Sequence, residues 1–129
     1  CVTIGVDKGG DNDFNRNWML SNGSIIANVG AKVEDIHPIV TRGRGHLALN
    51  AVEAFSGGNG ALTTLGQSQD FLFVEGSQKL TVSLFGCRMR NYAAEAPITV
   101  KNPLARIRAV ACYDKAENLF EQTWPKPRP

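Results

Sequence analysis

Leu80-Thr81-Val82-Ser83-Leu84-Phe85-Gly86-Cys87-Arg88-Met89-Arg90 carries the clearest structural pattern in the chain. Leu80, Val82 and Leu84 alternate with Thr81 and Ser83, the period of a strand with one buried and one wet face. We read it as a central strand of an antiparallel sheet that delivers Cys87 to its end, where a covalent tie can be made. Ala105 to Tyr113 has the same character. Its Ile107, Ala109 and Ala111 alternate with Arg106, Arg108, Val110 and Cys112.

Working outward, other strand-like runs are separated by turn signals at short intervals. Cys1 to Val6 is the first. Trp18 to Ser21 and Ser24 to Val29 flank Asn22-Gly23, a pair that favours a type I′ hairpin because both positions accept positive φ. Lys32 to Thr41 carries Pro38, which marks an edge strand or a break. Leu47 to Phe55 fits a strand better than a short helix, and Ser56 to Gly60 breaks it. Ala61 to Gln67, Gln69 to Glu75 and Pro97 to Val100 are further strands. Ala116 to Trp124 fits a strand or a short helix, and Pro125 to Pro129 an extended tail. No internal repeat is evident. The expected fold is all-β with little or no helix: one domain over residues 1–124, an antiparallel β-sandwich, with a closed β-barrel as the alternative.

Composition narrows the function classes. The 129 residues are 43% hydrophobic and 20% charged, which is globular. The net charge of +2 is too small to demand nucleic acid or an anionic membrane as a partner. No apolar run approaches the roughly 18 residues that would span a bilayer. A chain that starts at Cys1 and enters a strand at once is expected to be a mature, exported form. Three cysteines leave one thiol over after a single bridge. Cys87 with Cys112 is the first pairing, since both end long apolar strands. Cys1 competes for either.

Two stretches carry ligand-binding chemistry. Asp7, Asp11, Asp13 and Asn15 alternate along a glycine-loosened turn that can curl around calcium, an ion needing six to eight oxygens. The same residue types also make ordinary polar turns. Thr41 to His46 places Arg42, Arg44 and His46 on a glycine-rich loop that can hold an anion. The segment Gly5 to Asn15 resembles the Asp-x-Asp-(Phe/Tyr)-Asn-Asp loop of small bacterial calcium-dependent lectins and some adhesins. That resemblance implies a β-sandwich in which Asp11, Asp13 and Asn15 hold the calcium that coordinates sugar hydroxyls. The motif's closing acidic position is Arg16 here.

Catalytic patterns are thin. Glu34 and Asp35 are adjacent and would face opposite ways on a strand. A ribonuclease-like centre would draw on His46, Glu53, Arg42 and Arg44. Arg88, Arg90, Arg106 and Arg108 would form a basic face if their strands were neighbours, and the wet side of a sheet otherwise. Asn22-Gly23-Ser24 is an N-glycosylation triplet. The expected function is an exported, non-catalytic binding protein that takes a glycan, with calcium at Asp7 to Asn15. The alternative is a secreted effector, toxin or elicitor that meets a host protein or membrane.

Overall fold

The computed structural model describes residues 2–4, 16–27, 36–56, 68–90 and 92–126. Its strands follow one another as repeats of the same path. The first coil comprises β1 (Val2–Ile4), β2 (Arg16–Ser21) and β3 (Ser24–Ala27). The second comprises β4 (Ile39–Thr41), β5 (Gly45–Asn50) and β6 (Glu53–Ser56). The third comprises β7 (Leu72–Val74), β8 (Leu80–Phe85) and β9 (Arg88–Met89). The fourth joins β10 (Ile98–Val100) to the long β11 (Ala105–Tyr113), and β12 (Leu119–Trp124) follows.

Each strand pairs in parallel with its counterpart in the next coil. One sheet has the order β1-β4-β7-β10, and the other β2-β5-β8-β11-β9-β6-β3 with β12 beside β11. The result is a parallel β-solenoid with three walls: β1, β4, β7 and β10; then β2, β5, β8 and the start of β11; then β3, β6, β9 and the end of β11. This overturns the antiparallel sandwich and its closed-barrel alternative. The strands exist and alternate, but each pairs with a strand a whole coil away and running the same way. Regular structure among the described residues is all strand.

The corner between the second and third walls shows why. Asn22, Ala51, Gly86 and Ala111 have φ of 55°, 53°, 66° and 54°. They occupy equivalent places in four successive coils. The amide of Asn22 donates to Asn50 O at 2.9 Å, that of Ala51 to Phe85 O at 2.8 Å and that of Gly86 to Val110 O at 3.2 Å. A single left-handed residue bends the chain without reversing it, so the strands on either side face different neighbours. Asn22-Gly23 is therefore a corner and not a hairpin: β2 pairs with β5, and β3 with β6. The run from Leu47 to Phe55 likewise divides into β5 and β6 at Ala51.

The corner also shifts the inward phase. Buried positions run Leu47, Leu49 and Val52 in the second coil, Val82, Leu84 and Cys87 in the third, and Ile107, Ala109 and Cys112 in the fourth. Cys112 thus points inward, although strict alternation along β11 places it with the arginines. The register stacks Trp18, Leu47, Val82, Ile107 and Trp124 in one column. The two tryptophans are half-buried and pack against the core from either end. Ala116 to Trp124 resolves as a turn and then β12, which is antiparallel to β11.

Candidate binding surface on the outer wall

Outward positions of the second wall form rows across the coils. One row is Asn17, His46, Thr81 and Arg106; the next is Met19, Ala48, Ser83 and Arg108, with Thr123 of β12 beyond. A third is Ser21, Asn50, Phe85 and Val110. Strands about 4.8 Å apart make this a regular lattice of amide, hydroxyl, imidazole and guanidinium groups. Two large apolar side chains stand out of it, Met19 at 67% and Phe85 at 59% exposure.

His46 is fixed within this lattice. Its Nδ1 hydrogen-bonds Thr81 Oγ1 at 2.6 Å, and because the Thr81 hydroxyl donates its own proton to Gly45 O at 3.4 Å, the tautomer that completes this chain carries the hydrogen on Nδ1. A histidine held through Nδ1–H keeps Nε2 as an acceptor for a ligand hydroxyl. Arg44 and Lys79 directly precede the register partners Gly45 and Leu80, and so border the same surface. Arg42 leaves the group expected with Arg44 and His46: it bonds Glu75 at 2.6 Å.

The other expected groupings separate. Glu53, past the corner from His46, pairs with Arg90. The ribonuclease-like set His46, Glu53, Arg42 and Arg44 therefore does not converge. Arg88 and Arg90 lie on the third wall and Arg106 and Arg108 on the second, so the four arginines do not form one face. Arg88 and Arg90 line an open hollow of about 400 Å³ with Tyr113, Asp114 and Glu117. Arg88 bonds Glu117 at 3.3 Å there, which largely satisfies the hollow's charge from within. A second hollow, of about 310 Å³, lies between Trp124, Pro125 and the turn at Lys101 to Pro103.

Asp7, Asp11, Asp13 and Asn15 lie outside the described residues, as do Cys1, Glu34 and Asp35. Among the described residues no cluster of three or more His, Cys, Asp or Glu side chains stands ready for a metal. No described helix is long and apolar enough to cross a membrane.

Cys87 and Cys112 do come together. Both are buried free thiols at stacked positions, and Tyr113 N–H donates to Cys87 O at 2.9 Å between them. Cys87 Sγ–H donates to Leu49 O at 3.3 Å and Cys112 Sγ–H to Val110 O at 3.5 Å. The adjacent Cys87 thiol lowers Cys112 to about 7, and the adjacent Cys112 together with burial raises Cys87.

Comparison with protein-family models, curated proteins and solved structures returns no match.

One pair went unread in the sequence. His37 Nδ1–H donates to both Asp70 carboxylate oxygens, at 3.0 and 2.9 Å, and its ring lies 4.3 Å from that of Phe73. Asp70 is fully buried. Burial raises its carboxyl above the ordinary value, against hydrogen bonds from His37 and Thr99. The partners are far apart in sequence and meet only because the coils stack, so no local pattern announces them. The pair joins the second coil to the third and lines neither hollow.

Proposed function

We propose that the chain is an exported, non-catalytic binding protein that takes a glycan on the outer face of β2, β5, β8 and β11. The observation that supports this reading is the lattice of Asn17, His46, Thr81, Ser83 and Asn50 beside the exposed Phe85 ring. Sugars offer hydroxyls in both hydrogen-bonding senses and apolar ring faces. Short polar side chains on a rigid sheet meet the first at low entropic cost, and an exposed aromatic meets the second. The calcium expected at Asp7 to Asn15 belongs to the same proposal, because that segment leads directly into Arg16, the first residue of β2.

A glycan-array measurement with calcium and with chelator tests the reading. Ser83 lies at the centre of the lattice, and Ser83→Trp fills it without entering the core. The expected result is glycan binding that Ser83→Trp abolishes while the melting temperature holds. Binding that survives Ser83→Trp, or no glycan bound in either condition, overturns the proposal. Loss on chelation assigns calcium a part, and equal binding with chelator removes it.

A second reading has its own observation. Tyr113 and Leu119 are paired across β11 and β12 and both are exposed, at 45% and 64%. Such a pair at a sheet edge suits a host protein, as an effector would need.

A further inference from the structure

Among the described residues, some cations are paired with a carboxylate and others are not. Arg42, Arg88 and Arg90 are each bonded to a carboxylate, of Glu75, Glu117 and Glu53 respectively. Arg44, Lys79, Arg106 and Arg108 have no ion pair with any described carboxylate. These four border or occupy the second wall, while Lys101 and Lys115, also without a described ion pair, lie off it at the turns before and after β11. Arg106 and Arg108 are exposed on β11 two residues apart, about 7 Å along the strand. Lys79 and Arg44 sit one and two coils away, at about 4.8 Å per coil. The acidic side chain of β12 on this side is Glu121, whose carboxylate is within ion-pair distance of neither arginine.

Resting on the reading above, we propose that the glycan bound here is acidic: a polysaccharide bearing carboxylate or sulfate groups. Unpaired guanidiniums held on a sheet are preorganised for the planar or tetrahedral oxyanions of such groups. The hydroxyl and amide rows between the cations meet the sugar hydroxyls that separate one acidic group from the next. His46 Nε2 and Thr81 lie among the cations, so one sugar unit can meet both kinds of contact. Nucleic acid fits this surface less well. Single strands are held by successive aromatic platforms, and Phe85 is the sole Phe, Tyr or Trp in the three described rows.

Calorimetry of the full chain against polygalacturonate, heparin, neutral dextran and duplex DNA, at low and high salt, tests this. The acidic polysaccharides bind about tenfold or more tightly than dextran at low salt, and the advantage shrinks as salt screens the charges. Arg106→Gln with Arg108→Gln removes about tenfold or more of the acidic-glycan affinity. Arg88→Gln, whose charge is already matched by Glu117, leaves it unchanged. Dextran bound as tightly as the acidic chains overturns this inference and leaves the glycan reading standing. Binding to none of the polysaccharides overturns both. Duplex DNA bound as tightly as heparin also overturns the inference, because the wall would then read charge alone.

Discussion

Cys87 and Cys112 stand directly above one another in successive coils, side chains inward, just past the left-handed corner residues Gly86 and Ala111. The parallel register brings them together. Neighbouring strands lie about 4.8 Å apart, inside the Cα window of about 4.4–6.8 Å that a disulfide accepts.

Oxidation is therefore expected to join them. Both thiols are fully buried once the chain is folded, so the exchange runs as the chain refolds in oxidised glutathione, with the Cys112 thiolate attacking the glutathione disulfide. Cys87 then displaces the bound glutathione, and two molecules of the reduced tripeptide leave. Closing the loop from Cys87 to Cys112 stabilises by about 3.5 kcal/mol in the chain-entropy picture, roughly 10 °C in melting temperature. Intact mass and a thermal scan, before and after a reductant, check this. A stable glutathione adduct, or no rise in melting temperature, contradicts it.

The corner carries an alanine where glycine costs less. Ala51 and Ala111 hold φ of 53° and 54°, a region that charges a Cβ about 1 kcal/mol. Ala51→Gly and Ala111→Gly are each expected to raise unfolding free energy by up to about 1 kcal/mol, less the entropy glycine adds to the unfolded chain. Gly86 has φ of 66° and open space around a Cβ, so Gly86→Ala loses about 1 kcal/mol through backbone strain alone. Urea titrations of the three variants read the signs.

Thr41 points into the column formed by Ile4, Val74 and Val100. It is fully buried, and its Oγ1 has no hydrogen-bond partner among the described residues. Valine has the same shape without the stranded hydroxyl. Thr41→Val is expected to stabilise by about 1–2 kcal/mol, measured as a higher urea midpoint at unchanged slope. A lower midpoint would mean that the hydroxyl is satisfied.

Asp70 sets a pH dependence with an unusual sign. Burial raises its carboxyl above 3.8, so the folded chain holds that proton more tightly than the unfolded one. Its contribution favours the fold below 3.8 and is lost as pH rises through the raised value. Asp70→Asn keeps an acceptor for His37 and has no charge to bury. Its stability relative to the parent is expected to improve as pH rises from 3.8 through the raised value and to level off above it. Asp70→Ala strands its partners instead and costs about 1–3 kcal/mol. Paired denaturation curves across that range decide it.

Much of the local structure was legible in the sequence. Leu80, Val82 and Leu84 announced a buried strand face, and Asn22-Gly23 announced a positive φ. The global arrangement was not, because alternation says which face is wet and nothing about the direction of the neighbouring strand. Asn22 takes the backbone a hairpin would need and spends it on a bend. The stacked positions Trp18, Leu47, Val82 and Ile107 recur at unequal intervals, since the connections between coils differ in length, and this hides the repeat. Of the anticipated anion site, Arg44 and His46 lie at one surface, while Arg42 is taken up by Glu75. Thr81, Arg106 and Arg108 joined that surface through the stacking of coils, a long-range relation that no local pattern carries.

β12 has a last implication. Every coil presents its successor with the evenly spaced, slanted bonding groups of a parallel edge. The reversed final strand replaces that edge with the alternating narrow and wide pairs of antiparallel geometry, and Trp124 lies over the end of the apolar column. Along β11, a second molecule arriving with its own first coil would find neither the bonding pattern nor the bare hydrocarbon that each coil offers the next. Among the described strands at this end, only the three-residue β10 keeps an open parallel edge. On the walls that β11 closes the protein is built to stop growing, which works against a repetitive architecture becoming a fibre.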